Sequence, residues 1–143
     1  MDFLPALREL VRTYQAFDAF SGQHIRKLGL TMSQFDVIAT LGNTAGMSCR
    51  DIGEKTLMVK GTLTGVLDRL EKKQLITRVE NPHDKRSVLV HLTPAGQRIF
   101  EDAFPAHLAY LEPAFRRLGK ERLDTLQQEL AALRQALEQT GKS

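Results

Sequence analysis

Apolar residues recur along this chain at helical spacing over most of its length and switch to alternation in one short stretch, from about residue 75 to residue 92. From about Leu4 to Leu28, Leu7, Leu10, Val11, Tyr14 and Phe17 share one side of a predicted helix that Gly29 closes. A second helix begins at Met32, because Thr31 and Gln34 have capping-box spacing and Leu30 with Phe35 that of a hydrophobic staple. Its apolar positions Phe35, Ile38 and Leu41 lead to a stop at Gly42. The pattern then repeats: Ser48 is placed as an N-cap, Asp51 as an acidic third residue, and Met47 with Ile52 as a staple, predicting a short helix from Cys49 to about Thr56. A tight turn at Leu57 and Met58 follows. Gly53 is the small residue at which a crossing helix comes close, so this helix and the next form a helix-turn-helix.

That next helix, Val59 to Lys73, sorts its residues most cleanly. Val59, Leu63, Val66, Leu67 and Leu70 form one stripe, while Gly61, Thr64, Gly65, Asp68 and Lys72 lie opposite. Two glycines four residues apart are costly on a helix, at about 0.8–1 kcal/mol each relative to alanine in its interior. A strip without side chains is useful where something bulky approaches the backbone. Thr62, Thr64, Lys60, Arg69, Lys72 and Lys73 surround it with small hydroxyls and cations, the chemistry that suits phosphates and base edges in a DNA groove. The plainer alternative is a surface helix that tolerates two glycines.

The alternating stretch predicts strands from Leu75 to Glu80 and from Ser87 to Leu92, with Val88, Val90 and Leu92 on one face and Ser87, Leu89 and His91 on the other. Between them Asn81 to Arg86 form a loop carrying His83, Lys85 and Arg86. A helix-turn-helix followed by such a hairpin is a winged helix. Thr93 and Pro94 then start a long helix with Ile99, Phe100, Phe104, Leu108, Leu111 and Phe115 facing inward, which Pro105 and Pro113 should kink or break. In the last helix, from about Lys120 to Gln139, Leu123, Leu126, Leu130, Leu133 and Leu137 alternate by three and four. Such a seam packs against a partner helix. Together with Leu7 and Leu10 of the first helix it is the expected surface of a homodimer.

Composition agrees with a folded chain of ordinary type: 143 residues, 42% hydrophobic and 26% charged, are enough for one domain with its own core. No apolar run approaches the roughly 20 residues that span a bilayer, and MDFLPALREL lacks the features of a secretory signal, so no membrane partner is expected and the cytoplasm is the expected location. The single cysteine, Cys49, rules out an internal disulfide framework. The net charge of +3 is concentrated: Met47 to His91 carry nine Lys or Arg against six Asp or Glu, and the rest carries eleven of each. The excess lies with the glycine-bearing helix, as expected of a nucleic-acid reader.

These residues carry a family resemblance. Met32-Ser33-Gln34-Phe35, Thr62-Leu63-Thr64 through Asp68-Arg69-Leu70-Glu71-Lys72-Lys73, Asp84-Lys85-Arg86-Ser87 and Leu92-Thr93-Pro94-Ala95-Gly96, in this order of elements, closely resemble MarR-type transcriptional regulators. The resemblance covers nearly the whole chain. It implies a mostly α fold with a small β-hairpin wing: one domain over 1–143, with a winged helix-turn-helix lobe at 31–93 and a helical dimerisation region at 1–29 and 94–143. It further implies a homodimeric regulator of double-stranded DNA, usually a repressor, released from a near-palindromic operator by a small, commonly aromatic, effector. By that analogy Arg86 enters the minor groove and Asp84 steadies its side chain or the neighbouring backbone. The expected DNA-contacting set is Ser48, Lys60, Gly61, Thr62, Thr64, Gly65 and Arg69 on the helices, with His83, Asp84, Lys85, Arg86 and Ser87 on the wing. One departure stands out. The family pattern has glycine where this chain has Gln74, which predicts a strained or differently shaped turn and a changed wing angle.

Other chemistries have weaker support. There is no phosphate-cradling Gly-rich signature and no Gly-x-Ser-x-Gly elbow, and His24, His83, His91 and His107 lack paired metal-ligand spacing, so neither an enzyme, a metal nor a cofactor is expected. His83 is placed at the wing tip against phosphate or water; the other histidines are expected at the surface or an interface. Cys49 beside Arg50 at a helix start is a candidate redox thiol, against the plainer reading of a small half-buried residue. Redox-sensing relatives generally keep their thiol in the first helix, and this chain has none there. A winged-helix module that binds a protein partner is the alternative to a DNA-binding regulator; the retained Lys60, Lys85 and Arg86 favour the regulator.

Overall fold

Several helix boundaries in the computed structural model are set by local devices legible in the sequence. The structure describes residues 1–56 and 58–142, and only the backbone at positions 85 and 86; the expected turn at Leu57 therefore lies partly outside the described residues. Helix α1 (Leu4–Lys27) ends in a Schellman turn, with Gly29 at φ +81°. There the Gly29 N–H donates to the Arg26 carbonyl at 3.0 Å and the Leu30 N–H to the Ile25 carbonyl at 3.3 Å. Helix α2 (Met32–Leu41) starts with the full capping box, Gln34 N–H to Thr31 Oγ1 and Thr31 N–H to Gln34 Oε1, both 3.1 Å. In α3 (Cys49–Thr56) the Asp51 N–H donates to Ser48 Oγ at 3.1 Å, so Ser48 caps as expected.

Helix α4 (Lys60–Lys72) buries Leu63, Val66, Leu67 and Leu70, but Val59, expected on the same stripe, is 71% exposed. It is the extended N-cap residue, and its backbone leaves the helical path before its side chain reaches the core. Gly53 is not a steric necessity either. A Cβ there would meet Leu63 Cδ2 at 3.6 Å, an ordinary contact.

After α4 come β2 (Ile76–Asn81) and β3 (Asp84–Leu92), antiparallel, joined by Pro82 and His83 alone. The loop is thus shorter than expected, β2 is shifted by one residue at the same length, and β3 is longer. Positions 85 and 86 lie on β3 rather than in the loop. Glu80 pairs with Val88 and Asn81 with Asp84, which leaves residues 85–87 as a bulge with no β2 residue opposite. Strand β1 (Met47–Ser48), not anticipated, adds to the other edge of β3 through Met47 with Val90 and Ser48 with Leu89, in the order β1-β3-β2. Val90, with strands on both sides, is fully buried, whereas Val88 nearer the tip is 37% exposed because the sheet there has left the core.

Gln74 takes the left-handed conformation at φ +62°, with the same hydrogen bonds that end α1: Gln74 N–H to Glu71 O at 2.9 Å and Leu75 N–H to Leu70 O at 3.0 Å. The turn therefore has the shape glycine would give it, under strain. Its carbonyls are used at once. Thr93 Oγ1 donates to the Gln74 carbonyl at 2.8 Å, the Thr93 N–H to the Leu75 carbonyl at 3.0 Å, and a Cβ on Gly96 would fall 2.1 Å from that same Leu75 oxygen. Thr93 also caps α5 (Pro94–Arg116) by accepting from the Gly96 N–H at 3.0 Å.

Neither Pro105 nor Pro113 breaks α5. Each removes one donor, and the carbonyls so freed belong to the exposed residues Glu101 and Ala109, where water can satisfy them. Phe100 is buried, but Leu108 and Phe115, expected to face inward, are 50% and 44% exposed. The chain forms two compact units, Met1–His107 and Leu108–Ser143. The first holds the core, in which Ile25, Ile38, Leu41, Ile52, Leu67, Leu70, Ile76 and Val90 are all but fully buried. The second contains α6 (Lys120–Gly141), none of whose described residues is buried. Among the described residues no helix is long and apolar enough to cross a membrane.

His107 corrects the expectation that the histidines lie at the surface or an interface. It is 4% exposed, its Nε2 is 2.9 Å from Ser21 Oγ, its Nδ1 is 2.9 Å from Nδ1 of His24, and its edge meets the Phe35 ring. Both rings can be neutral in this chain if Ser21 O–H donates to Nε2 and His107 Nδ1–H donates to His24. Two imidazoliums would instead oppose N–H to N–H. Burial, then the charge of nearby His24, holds the His107 pKa below its ordinary value of 6.5.

Two outcomes follow for stability. As pH falls through 6.5, the ordinary value of His107, the unfolded chain takes up its proton before the folded chain does, so folding stability drops on acidification. Urea unfolding between about pH 8 and about pH 5.5 should show this loss, and His107→Gln should make the profile flatter; equal slopes would exclude His107 as its source. At the end of α4, Gln74→Gly should relieve the left-handed strain and stabilise the protein by roughly 0.5–1 kcal/mol, a few degrees in melting temperature, whereas Gln74→Ala should give no such gain.

Candidate nucleic-acid interface

The surface on which the sequence placed its site is a groove bounded by α3, α4 and the two wing strands, enclosing about 990 Å³. Its floor is apolar, from Met47, Leu63, Leu67 and Leu89, and its rim is polar. Of the expected residues, Ser48, Lys60, Thr64, Asp84 and Ser87 line it together with Cys49. Gly61, Thr62, Arg69 and His83 are exposed and Gly65 half-buried, outside the groove lining. The side chains of Lys85 and Arg86 are outside the described residues, so the expected contact between Asp84 and Arg86 is too.

Helix α4 presents its polar face because its other face is anchored in the core. Along that polar face Gly61 and Gly65 have open space around them: a Cβ on either would meet nothing within 4 Å. The contrast with Gly42 is direct, since there a Cβ would fall 2.1 Å from the Phe100 ring. Packing within the fold thus explains Gly42 and leaves the two α4 glycines unexplained. Between them, Thr64 donates its hydroxyl to the Lys60 carbonyl at 3.0 Å, which leaves its oxygen able to accept and its methyl group outward from that bond.

The wing tip is held by its own polar side chains. Asn81 Oδ1 accepts from the His83 N–H at 2.9 Å, Asn81 Nδ2 donates to Ser87 Oγ at 3.1 Å, and Ser87 Oγ donates to the Asp84 carbonyl at 3.4 Å. Ser87, expected as a DNA contact, is therefore also a brace of the tip. Cys49 is a free, half-buried thiol packed against the core.

Sequence reasoning missed Arg78, which lines the same groove. Its guanidinium donates to both oxygens of Glu71, at 3.0 and 3.2 Å, and to Asp68 at 2.8 Å. The one available signal was the three-residue spacing of Asp68 and Glu71, which puts both carboxylates on one face of α4. The Glu71 carboxyl is held below its ordinary range, chiefly by the hydrogen bond from Arg78.

The expected dimer surfaces are exposed apolar stripes. On α1, Leu7 and Leu10 are 43% and 37% exposed; on α6, Leu126, Leu130, Leu133 and Leu137 are exposed and Leu123 is half-buried.

Residues 30–88 match the model of the MarR family. The regulator MhqR of Bacillus subtilis is 31% identical over 115 residues, which cover 80% of this chain and 79% of that protein. A solved structure of a mutant MarR from E. coli complexed with operator DNA is similar over 92% of this chain and 94% of its own, with a TM-score of 0.83 and 27% identity. BpsR of Bordetella bronchiseptica, whose DNA binding is regulated by 6-hydroxynicotinic acid, is similar over 90% of this chain and 98% of its own, with a TM-score of 0.80 and 29% identity. With the helix-turn-helix, the wing and these relatives in agreement, the chain belongs to the MarR family of transcriptional regulators.

Proposed function

We propose that this protein is a homodimeric, sequence-specific repressor that α4 seats in the major groove of a near-palindromic operator and that a small, aromatic effector releases. The observation that carries this reading is the pair of glycines on α4 with open space around them. They cost helix stability, the fold has no packing use for them, and their surroundings of Lys60, Thr62, Thr64 and Arg69 are those of a DNA-reading face. Ser48 and Lys60 contact phosphate, and the wing residues His83, Asp84, Lys85, Arg86 and Ser87 approach the minor groove, where Arg86 supplies a weakly hydrated cation. The exposed stripes of α1 and α6 are buried in the dimer. The similarity to an operator-bound MarR supports the DNA, and the similarity to BpsR supports the effector. In this reading the protein acts in the cytoplasm by binding and has no catalytic role.

The purified protein should select from genomic fragments a site with two-fold symmetry and half-site centres about 10 base pairs apart. Its affinity should fall with salt at a log-log slope of roughly −0.9 per phosphate neutralised. An asymmetric site, or affinity independent of salt, would refute the reading. The glycines separate stability from binding. Gly65→Ala, inside the helix, should stabilise the free protein by up to about 1 kcal/mol, and Gly61→Ala, in the first turn, by less. Both should weaken operator binding, because the added methyl group stands where the DNA comes close; melting curves and titrations on the same preparations would check the opposed signs.

A further inference from the structure

Resting on the DNA-binding reading above, we infer that Arg78 is a positioning residue that fixes the wing against the recognition helix by clamping Asp68 and Glu71. Strand β2 points Ile76 and Arg78 to the same face, two residues apart. Ile76 is 1% exposed in the core; Arg78 comes where the sheet rises out of it, directly opposite the fully buried Val90. An apolar residue at Arg78 would end the inward face. The arginine instead reaches across to α4, with its side chain only 26% exposed.

The geometry is that of a fork. Nε and one terminal nitrogen of Arg78 take the two oxygens of Glu71, and the same terminal nitrogen reaches Asp68. Two parallel hydrogen bonds on one carboxylate fix orientation as well as distance, which a single ammonium contact does not. Asp68 and Glu71 are also the only carboxylates of α4, whose other charges are Lys60, Arg69 and Lys72. Left alone, both would repel phosphate. Clamped, they serve as the anchor by which a helix seated in one groove sets the reach of a hairpin into the next.

The test uses the full chain and the operator it selects. Arg78→Lys keeps the charge and loses the fork; Arg78→Met loses both; Arg78→Met combined with Asp68→Asn and Glu71→Gln loses the fork but also the repulsion. Because partly exposed ion pairs contribute little to stability, all three should melt within a few degrees of wild type. Each should bind the operator on the order of tenfold more weakly, the scale of one lost base-pair contact. Hydroxyl-radical protection should fade at the outer positions reached by the wing and persist at those read by α4. A triple variant that regains wild-type affinity would show that Arg78 acts only as a charge shield, and a weakened variant with an unchanged footprint would show a merely structural role; either overturns the inference. Variants that bind as wild type does overturn it while leaving the DNA-binding reading intact. A wild-type protein that selects no sequence overturns both.

Discussion

The arrangement of helix, wing and following helix depends on one residue's backbone, that of Leu75. Its N–H closes α4 on the Leu70 carbonyl, its own carbonyl accepts from Thr93, and the absent side chain of Gly96 lets the first turn of α5 come against that same oxygen. Backbone hydrogen bonds buried under a 7% exposed leucine have no competing solvent, so the angle at which the chain leaves α4 is tightly constrained. Gln74 is strained for the sake of this junction. The Schellman bonds demand a left-handed residue immediately before Leu75, and glutamine adopts that conformation although glycine would do so at lower cost.

How much of this was legible in the sequence depended on the range of the interaction. The capping box at Thr31 and Gln34, the cap at Ser48 and the closing turn at Gly29 are written within a few residues, and the structure has them as expected. The buried stripe of α4 was equally plain apart from Val59, where the helix had not yet begun. Pairing partners were not plain. Strand β1 is two residues long and carries no alternation, and its existence depends on Val90 being more than 40 positions away in sequence and free to accept a second neighbour. The wing tip was placed too wide because turn-forming residues fill Asn81 to Asp84, whereas the chain needs only Pro82 and His83 to reverse.

Polar groups in the interior were the least legible of all. Ser21, Gln34 and His107 sit at 1–4% exposure, and nothing about a lone serine or histidine in an amphipathic pattern separates a satisfied core position from a surface one. Beyond the capping box of Gln34, their partners come from other helices: His107 on α5 answers Ser21 and His24 on α1, and Lys73 beyond α4 donates to Gln34 on α2 at 3.3 Å. Arg78 belongs to the same class. Of the candidate site, the sequence placed the polar face of α4 and left out the arginine on β2 that bonds to it.

The bulge at residues 85–87 divides the wing into two parts that answer to different demands. Below it, Ile76, Arg78 and Val90 are locked in register by the core and by the clamp on α4, and a shift of one residue there would turn every buried side chain outward. Above it the register sets no β2 residue opposite positions 85–87, and the Asn81–Ser87 bond braces the tip without involving the core. A tip so separated can gain, lose or exchange residues without disturbing the register beneath it. The wing tip is thus the part of this fold where evolution, or a designer, can change residues at little expense to how the protein folds.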